Sequence, residues 1–522
     1  MRKRQPTSPT PDENLTPEEA QRKQQLEAAK RVVLLTVFLD ILGFGIIIPQ
    51  LGIYAAQFGA SPTVVGILAS TYSAMGFLFT PFWGRLSDRV GRRPVLLWSI
   101  LGTTIGYVFF AFAQSLPWLF AARLIDGITG ANISTAQAYL SDTTPPEERS
   151  KTFGIFGAIF GIGFAIGPFI GAQLSHLPGA WGGNLGIGAF TAALSLINWL
   201  LAIKRLPETL TPEMRATNTA RQEEQGGGRW QLINVHGFQR AFAIPGLNLV
   251  MAIAFFSILA FATMQGTFTL YLITKYVRPE VQTEIRHNPT ASAQEAKIRL
   301  SQGAGHSTPI TTDEGRPAAP TAEAGGKSGD VTPYSPAIGG DFNLPGVAAP
   351  APNLSWRRVE QLLVQPRAAR LVNWIFTTIG ILAIIVQGGL IRPLKKRVSD
   401  VHLILVGTLL MAVALAIVPI PQHFRWQFPV AAMLAIGNGI SAPVLTAMVS
   451  LLSPEAERGE IIGVFQSTQS LGRIIGPTLG GILFNTVSLS APYFVGAAIM
   501  LVSFVFALGL RGREPEAPPA AS

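Results

Sequence analysis

Asp40, Arg123, Asp126 and Arg473 are ionisable residues set well inside long apolar runs of this 522-residue chain. A charge in hydrocarbon costs at least about 2.5–3.5 kcal/mol on insertion scales, so each should face the interior or a partner. Asp40 stands in LDILGFGIIIP. Burial favours the neutral carboxyl and a nearby cation favours the charged one. A carboxyl that alternates between such settings can take up and release a proton; a hydrogen-bond acceptor joining two helices is the plainer alternative. Arg123 and Asp126 lie in ARLIDGITGANISTAQAYL, and their i, i+3 spacing lets them pair on one helix face. The pair either fixes helix packing or serves proton transfer, with Arg123 releasing Asp126 or tuning a carboxylate on the first span. Asn132 and Gln137, further along the same run, are candidates to line a cavity or to bond between helices. Arg473 can offer its charge to an anionic group or a carboxylate, with snorkelling to an interface as the alternative. Gln387, in IIVQGGLIRPL, is a further cavity candidate.

The elements that must hold these residues are membrane helices. Charged residues make up 13% of the chain, against about 25% in soluble domains. Mean hydropathy is +0.36. Apolar runs of bilayer-crossing length recur, and twelve spans are expected. They are Val32–Tyr54, Val64–Phe82, Val95–Ala113, Leu116–Tyr139, Phe153–Leu174 and Leu185–Ile203, then Leu247–Ile273, Leu371–Ile391, Leu403–Ile420, Phe428–Leu452, Ile461–Thr486 and Ala491–Leu510. The fold class is an all-α polytopic membrane protein. Its expected divisions are a tail (1–31), a six-helix bundle (32–203), a linker (204–246), a second six-helix bundle (247–510) and a tail (511–522). The second bundle carries an insertion (277–369) between spans 7 and 8.

The net charge of +10 does not point to nucleic acid, because most of the bases sit in short loops between spans. Lys and Arg cluster before span 1 and after spans 2, 4, 6, 8, 10 and 12, while QFGASPT and QSLP carry none. This asymmetry places both termini in the cytoplasm. The acids of the tail (Asp12, Glu13, Glu18, Glu19, Glu27) argue against a transit peptide, and a short helix from Pro17 is expected there. The middle of the insertion, rich in Gly, Pro, Ala and Thr, has the composition of a disordered segment. Its ends, VQTEIRHNPTASAQEAKIRL and WRRVEQLLVQP, are expected as short helices lying at the membrane surface, and the whole as a dispensable insertion. No cysteine is present, so no disulfide forms.

An internal repeat orders the spans. Ser141–Ala172 lies over Ser450–Gly481 without gaps, matching Pro145/Pro454, Glu148/Glu457, Arg149/Arg458, Gly163/Gly472, Gly167/Gly476, Pro168/Pro477 and Gly171/Gly480. Spans 5 and 11 are thus copies six helices apart. The halves are parallel repeats enclosing a site between them. In GIGFAIGPFIG, Gly163, Gly167 and Gly171 permit close helix approach and Pro168 removes a backbone hydrogen bond. This predicts a bendable contact between the halves. Arg473 replaces Phe164 of the first copy.

The loop after span 2, GRLSDRVGRRPVLL, holds Gly84, Asp88, Arg89, Gly91, Arg92 and Arg93. It resembles the loop signature of the major facilitator superfamily. GIGFAIGPFIG resembles the antiporter signature of that superfamily's drug/proton branch, and LDILGFGIIIP and ARLIDGITGAN look like signatures of its tetracycline-efflux-like group. The resemblance spans both halves, roughly 31–512. It implies that Asp88, paired with Arg92 or Arg89, latches the halves on the cytoplasmic side near the start of span 11. The second copy, RPLKKRVSD, has Arg392 at the place of Gly84 and Lys396 at that of Asp88, so no acid latch is expected in that half.

The resemblance implies a monomeric plasma-membrane transporter that exports small lipophilic molecules in exchange for protons. It needs no cofactor beyond the proton gradient, and its partners are the substrate, protons and the lipid bilayer. Neither WSILGTTIGYVFFAF nor LILVGTLLMAVALAIV holds an acid where tetracycline exporters carry one, which argues against tetracycline as the substrate. An importer of a polar metabolite on the same fold and a non-transporting receptor or scaffold are the other two readings. No enzyme constellation, nucleotide loop or metal-ligand spacing is present.

Overall fold

The computed structural model describes residues 17–210, 215, 235–301 and 356–511, leaving out 131, 145, 176, 178–180, 182, 396 and 455–457. The first half runs α1 (Pro17–Gln57), α2 (Pro62–Val90), α3 (Arg92–Ala111), α4 (Leu116–Thr129), α5 (Asn132–Thr143), α6 (Pro146–Ser175) and α7 (Asn184–Arg205). A short α8 (Val235–Ala243) leads into the second half. There follow α9 (Leu247–Leu272), α10 (Arg278–His287), α11 (Pro289–Ser301), α12 (Trp356–Ile385), α13 (Ile391–Lys395), α14 (Asp400–Ile417), α15 (Gln427–Leu452), α16 (Arg458–Thr486) and α17 (Ala491–Leu508). Five-residue π turns, Ile273–Val277 and Val386–Leu390, carry α9 into α10 and α12 into α13.

Helix is the element that satisfies every backbone group within one segment, as hydrocarbon requires. Nine of the described helices are long and apolar enough to cross a membrane. Spans 5 and 11 run beside them as α6 and α16, of 30 and 29 residues. The helix expected from Pro17 is continuous with span 1 and makes α1 41 residues long.

Span 4 departs from the expectation of one continuous helix. It breaks at Gly130 into α4 and α5. Two carbonyls at the break find side-chain donors. The Trp83 indole of α2 donates to Ile128 O at 2.6 Å, and the Ser99 hydroxyl of α3 donates to Thr129 O. Neighbouring helices thus take up the bonds that a continuous helix would have made.

The two halves meet along two matching seams, α2 against α16 and α6 against α12. Spans 2 and 8 are equivalent in the repeat, as are 5 and 11, so the seams exchange under a two-fold axis along the bundle. Contacts across the halves gather on the face opposite the chain termini. There Gln50 donates to Asn373 Oδ1 at 3.2 Å, Thr63 to Gly481 O at 3.3 Å, and the Ser70 and Thr478 hydroxyls lie 2.9 Å apart. Gly66 sits directly on the Pro477 carbonyl, where a Cβ would collide with it.

Towards the termini face the halves part. In α2 the buried residues are Pro62, Val65, Gly66, Leu68 and Ser70, and the next is Ser87. Gly84, Gly388, Gly389 and Gly463 all face open space. The molecule is closed on the far face and cleft on the termini face.

The ends of the insertion are helical, as expected, and they pack on each other. α10 and α11 fold back on the start of α12 around a core of Val281, Ile285, Ala296, Val359 and Leu363, which also takes Ile53 from the first half. Arg278 bonds Glu360 at 2.6 Å, Gln282 donates to Glu360 at 2.7 Å and Arg367 bonds Glu284 at 2.5 Å. The apolar face of a short amphipathic helix needs a partner, and here the prolonged spans 7 and 8 supply it. From Leu247 to His287 the chain runs 41 residues, about 60 Å as helix against about 30 Å of hydrocarbon. The charged α10 therefore stands outside the bilayer. There the Arg367 hydrogen bond holds the Glu284 carboxyl below the usual carboxylate range. The middle of the insertion, 302–355, lies outside the described residues.

Candidate functional site

The polar centre of the first half is built on α1, α2, α3 and α4. Arg123 and Asp126 share one face of α4, as their spacing predicts, with Arg123 Nη2 3.2 Å from Asp126 Oδ2 and both side chains almost fully buried. Thr103 stands on α3, which packs against α4. Arg123 lies over the Tyr72 ring of α2, 5.9 Å from its centroid. Tyr107 of α3 reaches α1 with its hydroxyl against Gly43, one turn from Asp40. Two carboxyls, a guanidinium, a threonine and two phenols thus share one region of an apolar bundle.

Tyr72, Tyr107 and Thr103 carry no charge and were not picked out from the sequence. Their usable signal is weak: a tyrosine and a threonine four apart in the middle of span 3. Gly106 leaves room for Asp126, whose Cβ would stand 3.2 Å from any Cβ added there.

Arg473 approaches this region from the second half. Its helix packs on α2, where the Ser70 hydroxyl, two residues from Tyr72, lies 2.9 Å from that of Thr478, five residues from Arg473. Its hydrogen-bond partners are Gln469 Oε1 at 3.4 Å and Ser470 Oγ at 3.2 Å on its own helix. Gln387 lies in the π turn after α12, against Gly439 of α15. Gln137 is half-buried on α5. The break at Gly130 separates it from the helix that carries Arg123 and Asp126. The side chain of Asn132 lies outside the described residues.

On the termini face, the loop after span 2 forms a compact ionic knot. Arg92 pairs with Asp88 at 2.5 Å and with Asp142 of α5 at 3.0 Å, and donates to Ser87 Oγ at 2.8 Å. The Glu208 carboxylate accepts the backbone N–H groups of Arg92 and Arg93 at 3.0 and 3.2 Å. It caps the start of α3, where a helix welcomes negative charge. Gly91 joins α2 to α3 at φ 118°, and a Cβ there would collide with that carboxylate. Arg93 donates to Ile203 O at 2.9 Å. Asp142 and Glu208 were missed by sequence reasoning because they stand 50 and 116 positions from Arg92. In the second half, Lys395 pairs with Asp400 at 3.2 Å. Lys396 and the side chain of Arg392 lie outside the described residues.

The glycine motif does not form the expected contact between halves. Gly163, Gly167 and Gly171 pack on α1 of their own half, against Ile41, Gly45, Ile46 and Gln50. A Cβ at Gly167 would lie 2.6 Å from the Gly45 carbonyl carbon. The second copy repeats this, with Gly472, Gly476 and Gly480 facing α9. The proline signal proves more informative, since Pro477 is the residue on which Gly66 of the other half rests.

Two helical repeats, closed on one face and cleft on the other, with an acid–base cluster buried beside the cleft, define a class of polytopic membrane proteins. The profile of the Major Facilitator Superfamily matches residues 33–279 and 333–522, and the chain belongs to that family. It is 40% identical over 184 residues to the class E tetracycline resistance protein of Escherichia coli, covering 34% of this chain and 44% of that protein. It is 39% identical over 154 residues to the class H protein of Pasteurella multocida, covering 28% and 38%. These matches span less than half of the relatives' own length. The crystal structure of the human organic anion transporter MFSD10 (TETRAN) superposes with a TM-score of 0.57 at 18% identity, over 92% of this chain and 99% of that one. A peptide transporter, POT, gives 0.59 at 13% identity, over 94% and 98%. The likeness to these structures concerns the fold.

Proposed function

We propose that this protein is a proton-coupled secondary transporter that exports small lipophilic compounds by rocking its two halves about the central cleft. The observation that carries the reading is the buried Arg123–Asp126 pair, 3.2 Å apart, in a bundle that lipid surrounds. Breaking such a pair is costly while it stays charged. Protonating Asp126 removes its charge and frees Arg123 to turn towards Asp40 or Tyr72. A proton entering from one side can thus change which groups hold the cleft. Likeness to tetracycline resistance proteins supports the export direction. The excess of Lys and Arg in the loops of the termini face makes that face cytoplasmic. The cleft then opens to the cell interior, ready for cargo. In this reading Asp88 and Arg92 belong to the gate that closes the cytoplasmic side.

The test is proton movement in proteoliposomes with an internal pH dye. A panel of lipophilic amines and acids, with tetracycline as one member, is added to the reconstituted full chain. At least one compound should drive protons in the direction opposite to its own movement, and Asp126→Asn should abolish this while compound binding persists. Proton movement in the same direction as the compound would favour the importer. Unchanged coupling in both Asp126→Asn and Asp40→Asn would remove the cluster from the mechanism.

A further inference from the structure

Among the described residues, Asp40, Arg123, Asp126 and Arg473 are charged side chains in mid-span, and Arg473 differs from the other three. Arg123 and Asp126 hold each other, and Asp40 shares their region. Arg473 forms no ion pair among the described residues. Its contacts are two long hydrogen bonds to neutral side chains one turn back, Gln469 and Ser470. Snorkelling does not account for it. Arg473 stands 15 residues from the start of α16 at Arg458 and 13 from its end at Thr486, about 20 Å from the nearer end, beyond an arginine's reach.

Its setting is that of a waiting cation. The side chain is half-buried rather than sealed, on the helix that forms a seam with α2. Across that seam the Ser70 hydroxyl, two residues from Tyr72, lies 2.9 Å from that of Thr478, five residues from Arg473, and Tyr72 is half-buried too. The Phe44 ring packs on Tyr72 at 5.0 Å, giving the region an apolar wall. A guanidinium is a planar fork that suits carboxylate or sulfonate oxygens. A cation held in an apolar bundle without an acid gains most from an anion that arrives from outside.

We propose that Arg473 anchors the anionic head of a lipophilic organic anion bound in the cleft, with the Tyr72 hydroxyl of the other half as a second donor. The proposal deepens the transport reading and rests on it, since it takes the cleft as the cargo site. It narrows the cargo from lipophilic compounds in general to those bearing a carboxylate or sulfonate. Because the two donors come from different halves, one bound head would bridge the elements that move.

Three probes with one fluorophore decide it: dansylglycine (anionic), dansylamide (neutral) and dansylcadaverine (cationic). Each is titrated against the detergent-solubilised full chain by fluorescence, with no gradient present. Wild type should bind dansylglycine about tenfold more tightly than dansylamide, the effect of one charge-assisted hydrogen bond. Arg473→Gln should erase that preference. Gln469→Glu keeps the guanidinium and places an acid beside it, so it should erase the preference as well, and it stands in should Arg473→Gln fail to fold. A wild type that binds the neutral or cationic probe as tightly as the anionic one overturns the proposal. So does a preference that survives Gln469→Glu or Arg473→Gln. Equilibrium binding is independent of proton movement, so failure here is distinct from failure of the exchange reading.

Discussion

The two halves are copies in helix order but not in chemistry. In the first, α4 buries Arg123 and Asp126 between α2 and α3. Its counterpart in the second, α15, reads QFPVAAMLAIGNGISAPVLTAMVSLL and holds no charged residue. The second half instead offers Arg473, on a helix whose first copy carries Phe164 at that place. The loops differ in the same way. Asp88, Arg92, Asp142 and Glu208 knit α2, α3, α5 and the chain after α7 together, whereas Lys395–Asp400 is a local link. Duplication supplied a frame with matched seams. Charge then set them apart, with a buried ion pair in the first and Arg473 in mid-span in the second.

The largest effect should come from unbalancing the buried pair. Arg123→Ala leaves a carboxylate in the bundle without its cation. It should cost about 3–5 kcal/mol, read as a fall in the thermal unfolding midpoint and in folded yield, while Arg123→Ala with Asp126→Asn recovers much of the yield. If the single variant is as stable as wild type, the pair is not the structural centre of the first half.

Next come the two loops. Asp88→Asn removes a charge-assisted contact of about 1.5–3 kcal/mol and should abolish transport with expression retained. Asp400→Asn, in the weaker copy, should cost at most about 1 kcal/mol and leave transport intact. Equal transport defects in the two variants would erase the distinction between the loops.

The seams give a smaller contrast. Gly66→Ala pushes a methyl into the Pro477 carbonyl and should destabilise by about 1–3 kcal/mol. Gly388→Ala, in the equivalent span of the second half, meets nothing within 4 Å. It should be neutral or gain about 0.5–1 kcal/mol from helix propensity. Thermal unfolding in one detergent compares them directly.

The smallest effect is at the far-face cap. Arg367 holds the Glu284 carboxyl below its usual range. Its stabilising contribution is therefore present at neutral pH and is lost as pH falls through the lowered value. Glu284→Gln should unfold at a slightly lower temperature than wild type at pH 7, with the gap closing in acid. A gap that widens as pH falls would contradict the contact.

Much of this was legible in one chain. Span count follows from apolar length, because hydrocarbon admits helices of about 20 residues. The duplication was visible in the glycines and prolines of spans 5 and 11. The pairing of Arg123 with Asp126 follows from i, i+3 spacing alone. Less legible were relations between distant segments. Glycine spacing marks a helix for close approach but not which neighbour comes close, so the motif was assigned to the seam between halves rather than to α1. The break in span 4 depends on Trp83 and Ser99, which lie on other helices. The ends of the insertion read as amphipathic, and amphipathic helices can cover a membrane or each other.

By itself, then, the sequence determined that the chain spans a membrane as two parallel repeats, and which residues carry charge where charge is costly. Local spacing and the price of exposing backbone or charge to lipid suffice for that. Only the tertiary structure decided that Arg123 lies over the Tyr72 ring, that Glu208 caps α3, and that the halves close on the far face. Those outcomes depend on which faces of separate helices meet, and helix periodicity places a residue on a face without naming the face opposite.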